Sequence, residues 1–299
     1  MNIEGLREFY RLAGFRVART STADYLARGN RIYHGFPIGP TPLPTAEEIA
    51  ALCRHPGILG VEVINDRGLG VPGGLWAQRD RSYGMRSLQR QFRQHVERAG
   101  TTQTVREIDF DDLHRWGIVS NRETVRRHHR DDPYFSSEQR WKQLCDAGRQ
   151  SPGAGVFATF AAHELTAYLV YFIVGDTSCG LFAKSLNQAR QTGANHLLYF
   201  AYTQALIRRP GIAAVTTGVQ AVPPFVTVDR FKRHAGYTLE PHHTAVFLRP
   251  WFGGLLRSHL AAAALRVSAL FLGETEVIRR AHAVREAARV LMSDMGASR

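Results

Sequence analysis

Asp229 and Lys232 stand three residues apart in the run Asp229-Arg230-Phe231-Lys232-Arg233-His234. On a helix that spacing sets a carboxylate and an ammonium side by side. Such a pair could hold positive charge against a developing oxyanion and offer a carboxylate to accept a proton. The choice of lysine is informative, because only Lys142, Lys184 and Lys232 among the 38 basic residues are lysines, the others all being arginine. A generic positive charge at 232 could have been another arginine, so a compact ammonium points to a site that needs a point charge. The alternative is an ordinary surface pair, which contributes at most about 1 kcal/mol. A second candidate is Arg190-Gln191-Thr192-Gly193-Ala194-Asn195-His196, which runs into an apolar helical pattern. The unpaired amides and dipole of a helix start attract an anion, and a glycine allows the turn before it. An ordinary loop-to-helix junction would also use that glycine.

Other patterns carry less. Gly68-Leu69-Gly70-Val71-Pro72-Gly73 has the spacing of a dinucleotide fingerprint. Pro72 and the strand-like residues after it leave no helix start for a pyrophosphate, so a loop is expected. His128-His129-Arg130-Asp131-Asp132 offers metal-ligand types, but adjacent histidines diverge on a helix and arginines crowd them, so no metal site is expected. Cys53, Cys145 and Cys179 form neither a disulfide framework nor a zinc pattern, and this points to a reducing cytoplasm. No P-loop, GxSxG elbow or HExxH is present.

The elements that must position these residues follow from periodicity. Thr45 with Glu48 reads as a capping box for a helix to about Cys53, and Ile58 to Ile64 reads as a strand. Leu75 to Met85 is weakly strand-like. Ser87 to Ala99 is an amphipathic helix with Leu88, Phe92, Val96 and Ala99 on one face and Arg86, Arg90 and Arg93 on the other. A strand from Thr104 to Phe110 follows, with helix starts at Asp111 and Asn121. The second half reads as strands Val156–Ala162, Leu165–Val174 and Cys179–Ser185, helix Ala194–Arg208, strand Ala213–Val219, helix Val226–His234 and strand His243–Leu248. Beyond Pro250 the pattern is helical.

Composition bounds the answer. With 299 residues, 44% hydrophobic and 21% charged, the composition is that of a globular chain, and neither an apolar spanning segment nor a signal sequence is expected. The net charge of +12 suits polyanions, though arginines spread along the whole chain also reflect base composition.

The order of the second half, antiparallel strands followed by helix, strand, helix and strand, resembles the acyl-donor domain of GNAT acyltransferases. In that superfamily a loop of the form Arg/Gln-x-x-Gly-x-Gly/Ala wraps the donor pyrophosphate. Arg190 and Gly193 match it, and Asn195 departs from it. Asn195-His196-Leu197-Leu198 at the helix start, with Arg230-Phe231-Lys232 and Gly236 farther on, resembles the Fem-type peptidyltransferases and their acyltransferase relatives. Arg122 to Arg130 resembles the segment leading into their second domain more loosely.

The resemblance implies an α+β fold with a GNAT-like mixed, mostly antiparallel sheet flanked by helices, in two GNAT-like halves of which the first is degenerate. The expected divisions are 1–110 for the degenerate half, 111–250 for the donor domain and 251–299 for a helical extension. It further implies a bacterial, cytoplasmic transferase without a bound cofactor or metal. Lys232 and Asp229 would be catalytic, and Arg190, Gln191, Gly193, Ala194, Asn195, His196 and Phe231 would bind the donor. The reaction would be N-acyl transfer from acyl-CoA to a small-molecule or cell-envelope amine by direct attack. Aminoacyl transfer from charged tRNA is the rival, and a basic nucleic-acid-binding module using the arginine stripe is the third reading.

Overall fold

A computed structural model describes residues 3–27, 31–127, 132–221 and 224–257. The chain opens with helix α1 (Ile3–Leu12), then strands β1 (Arg16–Arg19), β2 (Asp24–Ala27) and β3 (Ile32–Phe36), helix α2 (Ala46–Arg54), and strands β4 (Gly60–Asn65) and β5 (Val71–Gln78). Helix α3 (Arg90–Gly100), strand β6 (Gln103–Ile108), helix α4 (Phe110–Arg127), the short α5 (Pro133–Ser136) and α6 (Glu138–Arg149) follow. Strands β7 (Ala154–Ala161), β8 (Glu164–Val174) and β9 (Thr177–Ser185) lead to the short α7 (Ala189–Thr192) and to α8 (Ala194–Arg208). Strand β10 (Ala214–Val219), helix α9 (Val226–His234), strand β11 (Thr238–Leu248) and helix α10 (Pro250–Arg257) complete the described residues.

These elements form two compact units whose segments alternate along the chain. Among the described residues, the first comprises those within 3–15, 76–218 and 227–239, and the second those within 16–75, 219–226 and 240–257. In the first, strands run in the order β10-β9-β8-β7-β6. In the second the order is β1-β2-β3-β4-β11, so the last strand among the described residues pairs antiparallel with β4, His243 opposite Asn65 through Leu248 opposite Gly60. Most pairings are antiparallel, while β3 with β4 and β9 with β10 run parallel. The fold is α+β, mostly antiparallel and flanked by helices.

The second unit packs α2 on one sheet face, where Tyr25, Tyr33, Val61, Val63 and Ala245 meet Leu52 and Cys53. The capping box forms as expected: Glu48 N–H donates to Thr45 Oγ1, and Thr45 N–H to the Glu48 carboxylate. After Gly68 and Gly70, both at positive φ, the chain enters β5 directly, so the GxGxxG segment is a loop into a strand and opens no helix.

The first unit buries a core between α3, α8 and the sheet. Phe92 and Val96 of α3 meet Leu198, Phe200 and Leu206 of α8, with Phe157, Leu169 and Tyr171 beneath. Several expectations need correction here. A helix start at Asn121 is replaced by one continuous α4, in which Asn121 is buried and its amide oxygen accepts from the Tyr168 hydroxyl. Gly117 does not break that helix; it admits the Trp141 ring, which lies 2.8 Å from where a Cβ would be. Strand character after Leu75 ends at Gln78, not Met85, because Tyr83 turns into the core and donates its hydroxyl to Ala235 O. The charged run His128 to Asp131, and all residues after Arg257, lie outside the described residues.

Candidate active site

Two features of the first unit have the chemistry expected of a site. One is a break in strand pairing. Strand β9 pairs with β10 only over Thr177–Cys179 opposite Ala214–Thr216, although β9 runs on to Ser185 and β10 to Val219. Beyond those pairs the register between the two strands is not continued among the described residues. Where they part, β9 carries a bulge: Phe182 pairs with Val170 and Gly180 with Tyr171, so Leu181 is the extra residue. A bulge re-aims backbone groups and often borders a site.

The second feature is α9, whose two faces separate the expected site residues. Thr227, Arg230, Phe231 and His234 follow i, i+3, i+4 and i+7 spacing and line a cleft of about 180 Å³ with Gln91, Phe92, His95 and His196. Aromatic rings make its walls: Phe92 edges onto His196 at 4.6 Å, Phe231 onto His196 at 5.2 Å, and His95 stacks on His196 at 4.5 Å. Burial, with the neighbouring His95 adding to it, pushes His196 down to about 4, so the ring is neutral at pH 7. Its Nδ1 is buried without a hydrogen-bond partner among the described residues.

Asp229 and Lys232 occupy the opposite face of α9 and are buried, at 6% and 7% exposure. Trp76 Nε1, on β5, donates to Asp229 Oδ1 at 3.2 Å. Burial lowers the lysine to about 8 against the pull of Asp229. A surface pair is thereby excluded for these two residues. A buried lysine able to lose its proton near neutral pH is the state in which an ammonium is most responsive to a reacting oxygen.

The Gly193 turn packs against α3 at His95. Gly193 is left-handed at φ 78, closing α7 and opening α8. It is buried against α3, with the His95 carbonyl oxygen 3.0 Å and the Ala99 Cβ 3.4 Å from where a Cβ would stand. Ala194 is fully buried, Gln191 is exposed, and Arg190 lies within α7. Asn195 donates from Nδ2 to Ser185 Oγ at 3.3 Å, tying the helix start to the end of β9. Of the residues expected to bind the donor, His196 and Phe231 therefore meet in one cleft, and the turn itself packs under α3.

Trp76, Phe92 and His95 escaped the sequence reading as site residues. Phe92 was legible as a core position, but Trp76 lies 153 residues from Asp229 and only the fold brings them together. The cysteines are all buried, and burial raises each thiol, so none is poised as a nucleophile. Arg86 and Arg90 are exposed and Arg93 half-buried, as a solvated stripe requires.

No family model and no curated protein sequence matches the chain. Solved structures do. The C-terminal domain assigned to a lysylphosphatidylglycerol synthetase from Agrobacterium fabrum is similar at TM-score 0.54 and 13% identity, over 83% of this chain and 88% of that one. FemX is similar at TM-score 0.53 and 12% identity, over 85% and 93%. L-PGS from Bacillus licheniformis is similar at TM-score 0.52 and 13% identity, over 87% and 94%. These likenesses span most of every chain compared: the chain has a Fem-like fold, shared with FemX and the lysylphosphatidylglycerol synthetase domain.

Proposed function

We propose that this protein is an acyltransferase that moves an acyl group from an activated donor to an amine by direct attack. The observation that carries the reading is the end of β9–β10 pairing beside the Leu181 bulge. An extended acyl donor can lie where the two strands stop pairing, and a strand N–H there can stabilise the tetrahedral oxyanion. The amine nitrogen attacks the donor carbonyl carbon, a C–N bond forms, and the bond to the leaving sulfur or oxygen breaks. The amine's proton passes to a carboxylate or water, and no covalent enzyme intermediate is required.

Acyl-CoA is the first donor considered, with a small-molecule or cell-envelope amine as acceptor and the 111–250 stretch as the donor half. In this reading the cleft between α3, α8 and α9 takes part of the donor, with Arg230, His95 and His196 around it, and Gln191 to Asn195 form the adjacent turn. Aminoacyl-tRNA is the second donor. Two observations favour it: the Gly193 turn is covered by α3, which leaves little room to wrap a pyrophosphate, and two of the structural neighbours are named for lysylphosphatidylglycerol synthesis or as L-PGS. Melting temperature with CoA thioesters and with charged tRNA separates the two. A rise with thioesters alone supports the first donor and a rise with charged tRNA alone the second. If neither class binds, acyl transfer by this chain is refuted.

A further inference from the structure

We infer that the cleft between α3, α8 and α9 is a phosphate subsite, in which Arg230 supplies the charge and the His196 ring a hydrogen-bond donor. The inference deepens the reading of this cleft as part of the donor site, and it rests on that reading only for which phosphorylated compound enters. At about 180 Å³ the cleft falls below the ~300 Å³ at which pockets for whole small molecules begin, so it suits one group of a larger ligand.

The lining decides which group that is. Gln91 and His95 come from α3, His196 from α8, and Thr227, Arg230 and His234 from α9. Each of these side chains can donate a hydrogen bond, and no carboxylate stands among the described residues that line the cleft. Arg230 is exposed and forms no ion pair among the described residues, so its charge is not already neutralised. Donors carried on three elements surround the cleft. That suits the tetrahedral oxygens of a phosphate, whereas a carboxylate accepts close to one plane. His196 is held to a single role. Its Nδ1 is buried without a partner while the ring lines the cleft, which leaves Nε2 as the nitrogen able to face a ligand. A buried N–H without an acceptor is rarer than an unsatisfied lone pair, so the one proton of the neutral ring belongs on Nε2. Burial, with His95 adding to it, holds the ring's value at about 4, so this donor persists uncharged through neutral pH. His95 stacked at 4.5 Å, with Phe92 and Phe231 edging on, fixes the ring's plane.

Calorimetric titration with inorganic phosphate near neutral pH, with ionic strength held constant by chloride, reads the site directly. Wild type should bind phosphate saturably. Arg230→Gln should weaken that binding about tenfold or more, the scale of one lost charge-assisted bond. Arg233→Gln is the control: Arg233 is exposed on the same helix and lies outside the cleft lining, so affinity should hold. His196→Phe should weaken binding several-fold, and in protein labelled with ¹⁵N at histidine the signal it removes should show an Nε2–H ring that shifts as phosphate is added. No saturable binding, equal losses in Arg230→Gln and Arg233→Gln, or an Nδ1–H ring at 196 overturns the inference. Competition then identifies the source. Displacement of phosphate by coenzyme A assigns the site to a thioester donor, and displacement by a CCA trinucleotide assigns it to an RNA one. Phosphate bound through Arg230 and displaced by neither would sink the donor-site reading of the cleft and leave the phosphate subsite standing.

Discussion

At the scale of single residues, Lys232 and His196 show how burial turns ordinary side chains into specialised ones. The Lys232 ammonium is desolvated and poised, so its charge is worth most where a reacting oxygen becomes negative. Lys232→Ala should lower kcat of the transfer by about 10²–10³, the range of a lost oxyanion donor, with a smaller effect on KM. Lys232→Arg should not rescue it, because a planar guanidinium cannot occupy the same point. Steady-state kinetics that place both variants within a few-fold of wild type would remove the lysine from the reaction. His196 makes a prediction that needs no substrate. Its folded value near 4 lies below the unfolded value near 6.5, so the unfolded chain takes up the proton first as pH falls. Stability from this residue is therefore full above about pH 6.5 and lost as pH drops through about 4. Denaturant melts across that window should show wild type losing up to about 3 kcal/mol that His196→Phe does not lose.

At the scale of elements, the α7–α8 junction carries two demands at one position. Gly193 must be left-handed, and it must leave room for the His95 carbonyl oxygen, which lies 3.0 Å from where a Cβ would stand. A Cβ meets both obstacles, so Gly193→Ala should destabilise by about 1–3 kcal/mol in chemical denaturation. Donor affinity measured on the folded variant then separates the roles. A large rise in donor Kd supports a donor-binding turn, and an unchanged Kd makes the glycine a packing device for α3 on α8. The α9 helix teaches a related lesson. Its nine residues present Phe231 and Arg230 to one environment and Asp229 and Lys232 to the other, so neighbours in sequence serve different surroundings.

At the scale of the whole molecule, a charge of +12 bears on which anion the protein meets. If the Arg86, Arg90 and Arg93 stripe were a nucleic-acid interface, Arg→Gln at all three should sharply reduce RNA retention and flatten its salt dependence. We expect retention in filter binding to change little, since two of the three guanidinium groups are solvated and α3 carries its aromatic residue, Phe92, on the buried face. Among the described residues no helix is long and apolar enough to cross a membrane.

What the amino-acid sequence by itself determined is what depends on short range. Strand alternation, the capping box at Thr45 and the apolar face of Ser87–Ala99 are local patterns, and the helix Ala194–Arg208 and the helix Val226–His234 appear within the bounds that periodicity implies. The order of strands and helices carried the likeness to the Fem-like fold. It missed β1 to β3, which are short and irregular in pattern, and α6, whose charged residues hide the apolar stripe of Trp141, Leu144 and Cys145. Only the tertiary structure decided which long-range partners meet. It paired β11 with β4, parted β9 from β10, laid α3 over Gly193 and brought Trp76 to Asp229 across 153 residues. Those contacts depend on burial and on closing large loops, and neither leaves a mark in the neighbouring residues.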